Sequence, residues 1–210
     1  DFCQNWQPSQ VGRDRRAAVP VRAMSAQAVV SRALQSGATV VASTYNEPLI
    51  TSEWAVEIFR LAKEHGLRTA FVSNGHATPE VLAYLRPCLD LYKVDLKSFQ
   101  DRDYRRLGGR LERVLQTLAS LVDLGYWVEV VTLLVPGLND SDAELRSMAR
   151  FLAGLSSDIP WHVTAFHRDY KRTGGTDTPT ATLLRAAGIG HEAGVRYVYP
   201  GNQPGRVGGG

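Results

Sequence analysis

The sequence has 210 residues, 44% of them hydrophobic and 21% charged, and it carries a formal net charge of +3. This weak positive charge argues against a nucleic-acid-binding arm, and no apolar run reaches the roughly 18 residues that a membrane span requires. With only two cysteines the chain is not a disulfide scaffold, which favours a reducing, cytoplasmic environment.

A single domain covering residues 1–210 is expected, because a chain of this length can bury one large core. Apolar residues at helical spacing indicate helices, and short runs rich in Val, Thr, Tyr and Trp indicate strands. In chain order the predicted elements are helix 25–35, strand 38–43, helix 51–64, strand 68–73, helix 79–85, strand 91–96, helix 111–124, strand 127–135, helix 140–155, strand 161–166, helix 181–193 and strand 196–199.

The alternation of helices and strands predicts an α/β fold with right-handed βαβ connections and a parallel sheet. Glycines at 37, 66, 125 and 194 support this order, because each follows a helix and precedes a strand, where a left-handed helix cap is needed. Periodicity does not decide between a closed or half-closed barrel and an open, doubly wound sheet. In both cases the reactive residues are expected at the carboxyl ends of the strands.

Polar side chains do follow the predicted strands at their carboxyl ends, as in an active site on one rim of a sheet. The segments concerned are 43–48, 73–76, 95–97, 129–140, 162–167 and 201–205. Individual residues also have purely structural explanations: Glu47 suits the start of the following helix, and Asp95 and Lys97 suit a plain salt bridge. His162 and His167 are five positions apart, so they point to opposite faces of a strand and make a poor metal pair.

The opening residues 1–6, DFCQNW, resemble the end of the cluster motif C-x3-C-x2-C of radical S-adenosylmethionine (SAM) enzymes, in the branch related to pyruvate formate-lyase activating enzymes. The resemblance makes Cys3 the third cluster cysteine. The other two are expected directly before Asp1 and four positions further upstream. The chain is therefore expected to be a fragment that is truncated at both ends and lacks the first strand. Cys88 is expected to be a small buried residue.

Later motifs of the same superfamily follow in order. TYNEP at 44–48 resembles the glycine-glycine-glutamate element, with Tyr45 and Asn46 in place of the two glycines. SNG at 73–75, DLK at 95–97 and VPG at 135–137 resemble three further strand-end motifs. Together with PWHVTAFHRDYK at 160–171 and YVYPGNQPGRVG at 197–208, these motifs resemble the radical SAM component of the AmmeMemoRadiSam system over essentially the whole chain.

This resemblance implies a partial (βα)6 TIM-like barrel of parallel strands with outer helices and two cofactors, a [4Fe-4S] cluster and SAM. Cys3 is the implied iron ligand in this chain, and the Glu47 carboxylate is the implied partner of the SAM ammonium group. The full set of implied SAM-binding residues is Glu47, Asn46, Ser73, Asn74, Asp95, Lys97 and His167.

The implied reaction is reductive cleavage of SAM to a 5′-deoxyadenosyl radical, which abstracts hydrogen from an unidentified substrate such as a partner protein. An electron donor such as ferredoxin or flavodoxin is an implied partner, alongside other AmmeMemoRadiSam components. No nucleic-acid or membrane partner is expected.

Two other functions fit parts of the pattern. In a class I aldolase on a similar barrel, Lys97 or Lys93 would form a Schiff base with Asp95 as the acid/base group. Trapping with borohydride and a carbonyl substrate would distinguish this reaction. The second alternative is a non-catalytic fragment that only binds SAM or interacts with other proteins, because one cysteine does not assemble a cluster that needs three.

Overall fold

The computed structural model describes residues 5–11, 13–17, 19–20, 22–171 and 174–203. The helices are α1 (Trp6–Ser9), α2 (Ala26–Gln35), α3 (Ser52–Glu64), α4 (Pro79–Leu85), α5 (Asp101–Arg106), α6 (Leu111–Asp123), α7 (Asp142–Leu155) and α8 (Thr180–Glu192), and a short 3-10 turn, Pro48–Thr51, precedes α3. The strands are β1 (Val40–Ser43), β2 (Arg68–Ser73), β3 (Leu91–Asp95), β4 (Trp127–Leu134), β5 (Trp161–Ala165) and β6 (Val198–Gly201).

The six strands form one sheet in which every neighbouring pair is parallel. Their order in space, β1 to β6, is also their order in the sequence. A doubly wound sheet reverses its strand order at a switch point, whereas this order never reverses, as in a barrel. The predicted α/β class and parallel sheet are therefore confirmed, and the strand order selects the partial barrel.

The two faces of the sheet have different environments, because successive side chains of a strand point to opposite sides. In β3, Tyr92 and Val94 are buried, and the ring of Tyr92 packs edge-on against the ring of Tyr126. Lys93 and Asp95 lie on the opposite face and are half-buried. We call this second face, opposite the helices, the inner face of the sheet.

The core is a single cluster of buried apolar side chains that extends from Ala26 to Val198. α6 shows how a helix joins it: Val114, Leu118 and Leu121 recur at helical spacing and are fully buried. Burying one such leucine contributes about 1.5–3 kcal/mol. The strands are therefore held by the helices on one side, and their carboxyl ends are left to carry polar groups.

The sequence pattern misplaces or misses some elements. It does not predict α1 or α5, because the residues of α5, DRDYRR, have no apolar periodicity. The last strand is Val198–Gly201, two positions later than predicted. It includes Pro200, which the predicted strand 196–199 left out. Proline lacks a backbone N–H, and it is tolerated here because β6 lies at the edge of the sheet. Within the described residues, no helix has the length and apolar character to cross a membrane.

Candidate active site

Glu47 is held at the carboxyl ends of β1 and β2 by three donors. Its Oε1 accepts a hydrogen bond of 2.6 Å from the hydroxyl of Ser73, and its Oε2 accepts one of 2.7 Å from the backbone N–H of Asn74. The backbone N–H of Leu49, in the 3-10 turn, donates to Oε1 at 3.3 Å. A carboxylate has about four acceptor positions, so the half-buried Glu47 keeps room for one further donor.

Tyr92 directs the hydroxyl of Ser73 toward Glu47. Ser73 is 3% exposed, and its oxygen accepts hydrogen bonds from the hydroxyl of Tyr92 at 3.2 Å and from the backbone N–H of Gly75 at 3.1 Å. Burial raises the pKa of Tyr92 far above its ordinary value, so this phenol stays protonated and donates. The one proton of Ser73 is then free to bond to Glu47. Sequence reasoning missed Tyr92, because the sequence pattern identifies it only as an apolar residue of a strand.

The side chain of Asn74 is fixed from one side only. Its Oδ1 accepts a hydrogen bond of 2.9 Å from the backbone N–H of His76 and lies 3.1 Å from the Nδ1 of the same residue. In the described part of the chain, the Nδ2 group of Asn74 donates to no protein acceptor. Asn74 therefore orients Glu47 through its backbone and presents an unused amide donor beside it.

Tyr45 and Asn46 occupy the two positions where the resembled motif has glycines, and both are exposed. Tyr45 has a φ of 29°, in the left-handed region that favours glycine. The backbone thus keeps the conformation that suits a glycine while carrying a large side chain, 57% exposed, two positions before Glu47.

Asp95 and Lys97 form a salt bridge of 2.7 Å at the end of β3, with their side chains 35% and 40% exposed. The backbone of Lys97 is anchored on both sides: its N–H donates to the hydroxyl of Tyr104 at 3.0 Å, and its carbonyl accepts 2.8 Å from the Nδ2 of Asn139. The amine of Lys97 is paired with a carboxylate, whereas a Schiff-base lysine lies in an apolar pocket or beside a second cation.

His167 follows β5 and is exposed. In the described residues its ring makes no hydrogen bond with the other predicted site residues. One residue of this region, Tyr170, contacts the start of the chain instead: its ring stacks on that of Trp6, with centroids 5.1 Å apart, and its hydroxyl donates 2.9 Å to Asp14. Arg16 lies over both rings at 5.9 and 5.5 Å. The loop after β5 is thus tied to α1, which begins three positions after Cys3 in the sequence.

His162 belongs to a separate cluster on the inner face of β5, whereas His167 lies beyond the end of that strand, so the prediction that the two point to opposite faces of one strand does not apply. Its Nε2 bonds to the Oε2 of Glu129 at 2.9 Å, and its ring stacks on Tyr199 with centroids 5.3 Å apart. The indole of Trp127 donates 3.1 Å to the Oε1 of Glu129. Sequence reasoning noted both histidines but missed the pairing of His162 with Glu129, which depends on strand register.

A cluster or metal ligand set is not assembled by the described residues, in which no three His, Cys, Asp or Glu side chains group together. Cys88 is 2% exposed, as predicted, and burial raises the pKa of its thiol. Cys88 does not fit a cluster thiolate, because its thiol is enclosed and donates 3.4 Å to the carbonyl of Leu85. Cys3, the predicted iron ligand, lies outside the described residues.

A sequentially ordered parallel sheet with a polar site at its carboxyl rim defines a βα-barrel of the kind that carries enzyme active sites. The chain belongs to the Radical SAM superfamily, whose sequence model matches residues 1–152. Membership implies a [4Fe-4S] cluster and SAM as cofactors.

Relatives and solved structures agree with this assignment. The chain is 34% identical over 207 residues to an uncharacterized protein of Methanocaldococcus jannaschii, covering 98% of this chain and 61% of that protein. It is 30% identical over 155 residues to the choline trimethylamine-lyase activating enzyme of Oleidesulfovibrio alaskensis, covering 73% of this chain and 45% of that enzyme. The chain thus spans about half to three-fifths of the length of these two relatives.

The fold is shared with a solved domain of the pyruvate-formate lyase-activating enzyme from Bacteroides vulgatus. The TM-score is 0.67 at 18% identity, and the match covers 77% of this chain and 98% of that domain. At this identity the likeness concerns the fold alone, and it agrees with the partial barrel that the strand order selects.

Proposed function

We propose that this chain is the SAM-binding core of a radical SAM enzyme and that Glu47 binds the ammonium group of SAM. The observation that carries the proposal is the fixed carboxylate of Glu47, oriented by Ser73 and Asn74 at 2.6 and 2.7 Å. A preorganised carboxylate with one open acceptor position fits an ammonium group, and such charge-assisted hydrogen bonds are the stronger ones.

The other predicted residues have supporting positions in this proposal. Asn74 offers the two hydrogens of its Nδ2 group to the ligand, and the hydroxyl of Ser73 orients Glu47 through its hydrogen bond. Asp95 and Lys97 form a charged pair two positions apart at the end of the neighbouring strand. Asn46 and His167 are exposed and are proposed to close on the ligand from the loops after β1 and β5.

The chain's residues fit SAM better than they fit the cluster. Cys3 is the one cysteine proposed to bind iron, and the two further thiolates are proposed to precede Asp1. When bound, the cluster supplies the electron that cleaves SAM. The protein's own part is to orient the ammonium through Glu47 and to hold the strand ends in place.

The substrate class is proposed from the relatives. Because the relatives include activating enzymes, hydrogen abstraction from a partner protein is the proposed activity, with a ferredoxin or flavodoxin as electron donor. The placement in the AmmeMemoRadiSam branch rests on the motifs alone. The aldolase alternative receives no support from the paired Lys97.

The proposal is tested on the full-length protein after anaerobic reconstitution. About four irons per chain are expected, bound through thiolates. Reduced protein with SAM should release 5′-deoxyadenosine, measured by chromatography. Cys3→Ala should lose the cluster, whereas Cys88→Ala, the matched control, should keep it. A reconstituted Cys3→Ala protein with a full, SAM-responsive cluster, or a wild type that releases no 5′-deoxyadenosine with a strong reductant, would refute the proposal.

A further inference from the structure

His76 lies between Asn74 and the start of α6. The backbone N–H of Arg110, the residue that precedes α6, donates to the Nε2 of His76 at 2.9 Å. On the other side of the ring, Nδ1 lies 3.1 Å from the Oδ1 of Asn74. His76 therefore connects the loop after β2, which carries Asn74, to a helix that is packed into the core.

The backbone N–H groups of Arg110 and His76 establish which side-chain atoms of His76 and Asn74 accept hydrogen bonds. A backbone N–H only donates, so the Nε2 that faces Arg110 is the acceptor, and the proton of the neutral ring is on Nδ1. The backbone N–H of His76 donates 2.9 Å to the side chain of Asn74, so the atom that receives it is the oxygen Oδ1. The Nδ1–H of His76 therefore donates to the same oxygen.

Two donors on Oδ1 leave the amide of Asn74 one favourable orientation. A flipped amide would place its NH2 group against two N–H donors and lose both hydrogen bonds. Both hydrogens of Nδ2 remain available for a ligand, beside the carboxylate of Glu47 that the backbone of Asn74 holds at 2.7 Å.

Gly109 leaves the space that the ring of His76 occupies. A Cβ at this position would lie 2.6 Å from both the Cε1 and the Nε2 of His76, closer than any stable contact. Tyr104 flanks the same ring, with centroids 6.2 Å apart. The ring is thus seated by its packing as well as by its two hydrogen bonds.

We propose that His76 is a positioning residue that fixes the side-chain amide of Asn74 so that its NH2 group donates to bound SAM. This inference rests on the proposed function and deepens it, because it adds to the SAM site a residue that does not itself touch the ligand. It also gives the Arg110–His76–Asn74 connection a role: the core-packed α6 sets the orientation of a side chain at the mouth of the site.

The first experiment separates the two hydrogen bonds of His76 in the reconstituted full-length protein. The amide nitrogen of asparagine takes the place of Nδ1, whereas the amide of glutamine reaches the place of Nε2. His76→Ala and His76→Gln should weaken SAM binding about three- to tenfold, measured by titration calorimetry. His76→Asn keeps the donor to Asn74 and should bind within about twofold of the wild type. The exposed His65, replaced by alanine, is the control and should leave binding unchanged.

A second variant displaces the ring without changing it. Gly109→Ala should weaken SAM binding, as His76→Ala does. Gly154→Ala, in α7, is the matched control, because nothing lies within 4 Å of its added Cβ. Thermal unfolding of each variant shows whether it is folded at the temperature of the titration.

The tautomer provides a readout that is independent of binding and of any variant. Nitrogen chemical shifts of 15N-labelled histidines in the wild-type protein should show neutral His76 protonated at Nδ1. An Nε2-protonated ring would overturn the inference, as would unchanged SAM affinity in both His76→Ala and Gly109→Ala. A wild type that binds no SAM would overturn the proposed function and this inference with it, whereas a SAM-binding wild type with unaffected variants overturns this inference alone.

Discussion

The backbone N–H of Asn74 donates a 2.7 Å hydrogen bond to the carboxylate of Glu47, a residue 27 positions earlier in the chain. The contact joins the end of β1 to the end of β2. It exists because parallel neighbouring strands bring their carboxyl ends to one edge of the sheet. A residue of the first strand-end motif is thus oriented by the second.

Tyr92→Phe should reduce SAM affinity without removing any group that touches the ligand. The change deletes the donor that directs the Ser73 hydroxyl to Glu47, and it leaves the buried ring in place. We expect a loss of about 0.5–1.5 kcal/mol in the free energy of unfolding and roughly two- to tenfold weaker SAM binding. Denaturant titration and calorimetry measure the two quantities.

Tyr126→Phe is the matched control for this effect. Its buried hydroxyl donates 2.8 Å to the carbonyl of Leu82, away from the Glu47 contacts. It should lose similar stability and bind SAM normally. Equal SAM affinity in Tyr92→Phe and wild type would show that the Tyr92 hydroxyl does not organise the site.

Lys97→Ala should slow SAM cleavage without abolishing it, because Lys97 is proposed to shape the rim beside Asp95 and to form no covalent bond. The measurement is the anaerobic yield of 5′-deoxyadenosine, with Lys93→Ala, on β3, as its companion. Borohydride with carbonyl compounds should trap no adduct on either lysine of the wild type. A trapped adduct that disappears in Lys97→Ala or Lys93→Ala would instead support the aldolase reaction.

Asn139→Asp should destabilise the fold by about 2–4 kcal/mol, because the new oxygen replaces an amide donor between two carbonyl groups. The fully buried Asn139 donates 2.8 Å to the carbonyls of both Lys97 and Leu133 and accepts 2.7 Å from the backbone N–H of Val135. Urea denaturation measures the change.

Asp140→Asn is the control for this substitution. The Oδ1 of Asp140 accepts a hydrogen bond from the backbone N–H of Gly137 at 2.9 Å, and the carbonyl oxygen of an asparagine can replace it. Its stability should stay close to that of the wild type. If Asn139→Asp were equally stable, the bridge between the ends of β3 and β4 would contribute nothing measurable.

The sequence predicts the fold class and the rim of the sheet well, because both depend on local periodicity and on the parallel strand order that alternation implies. It locates Glu47, Ser73 and Asn74 at adjoining strand ends. It does not predict the contacts that hold them: Tyr92 donates to Ser73 across the β2–β3 pair, and the ring of His76, beside Asn74, accepts from the backbone N–H of Arg110 just before α6. Such contacts depend on register and on loop packing, which no pattern along the chain encodes.

Sequence motifs also do not predict the contacts that the motif residues make with one another. Ser73 is part of the SNG motif and is predicted to bind SAM; in the structure it is almost fully buried and donates to Glu47, a contact that the motif does not predict. The salt bridge of Asp95 with Lys97 follows from their two-residue spacing at the end of β3, but its anchoring by Asn139 does not.

The most direct test of the central claim is the SAM dissociation constant of Glu47→Ala in the reconstituted full-length protein, measured beside its iron content. Loss of a charge-assisted hydrogen bond commonly costs about 1.5–3 kcal/mol, which predicts roughly ten- to over a hundredfold weaker SAM binding. Iron content should stay at the wild-type level, because Glu47 is proposed to touch no iron, and Glu53→Ala, exposed on α3, should change neither quantity. Normal SAM binding in Glu47→Ala, whether iron is kept or lost, would contradict the assignment of Glu47.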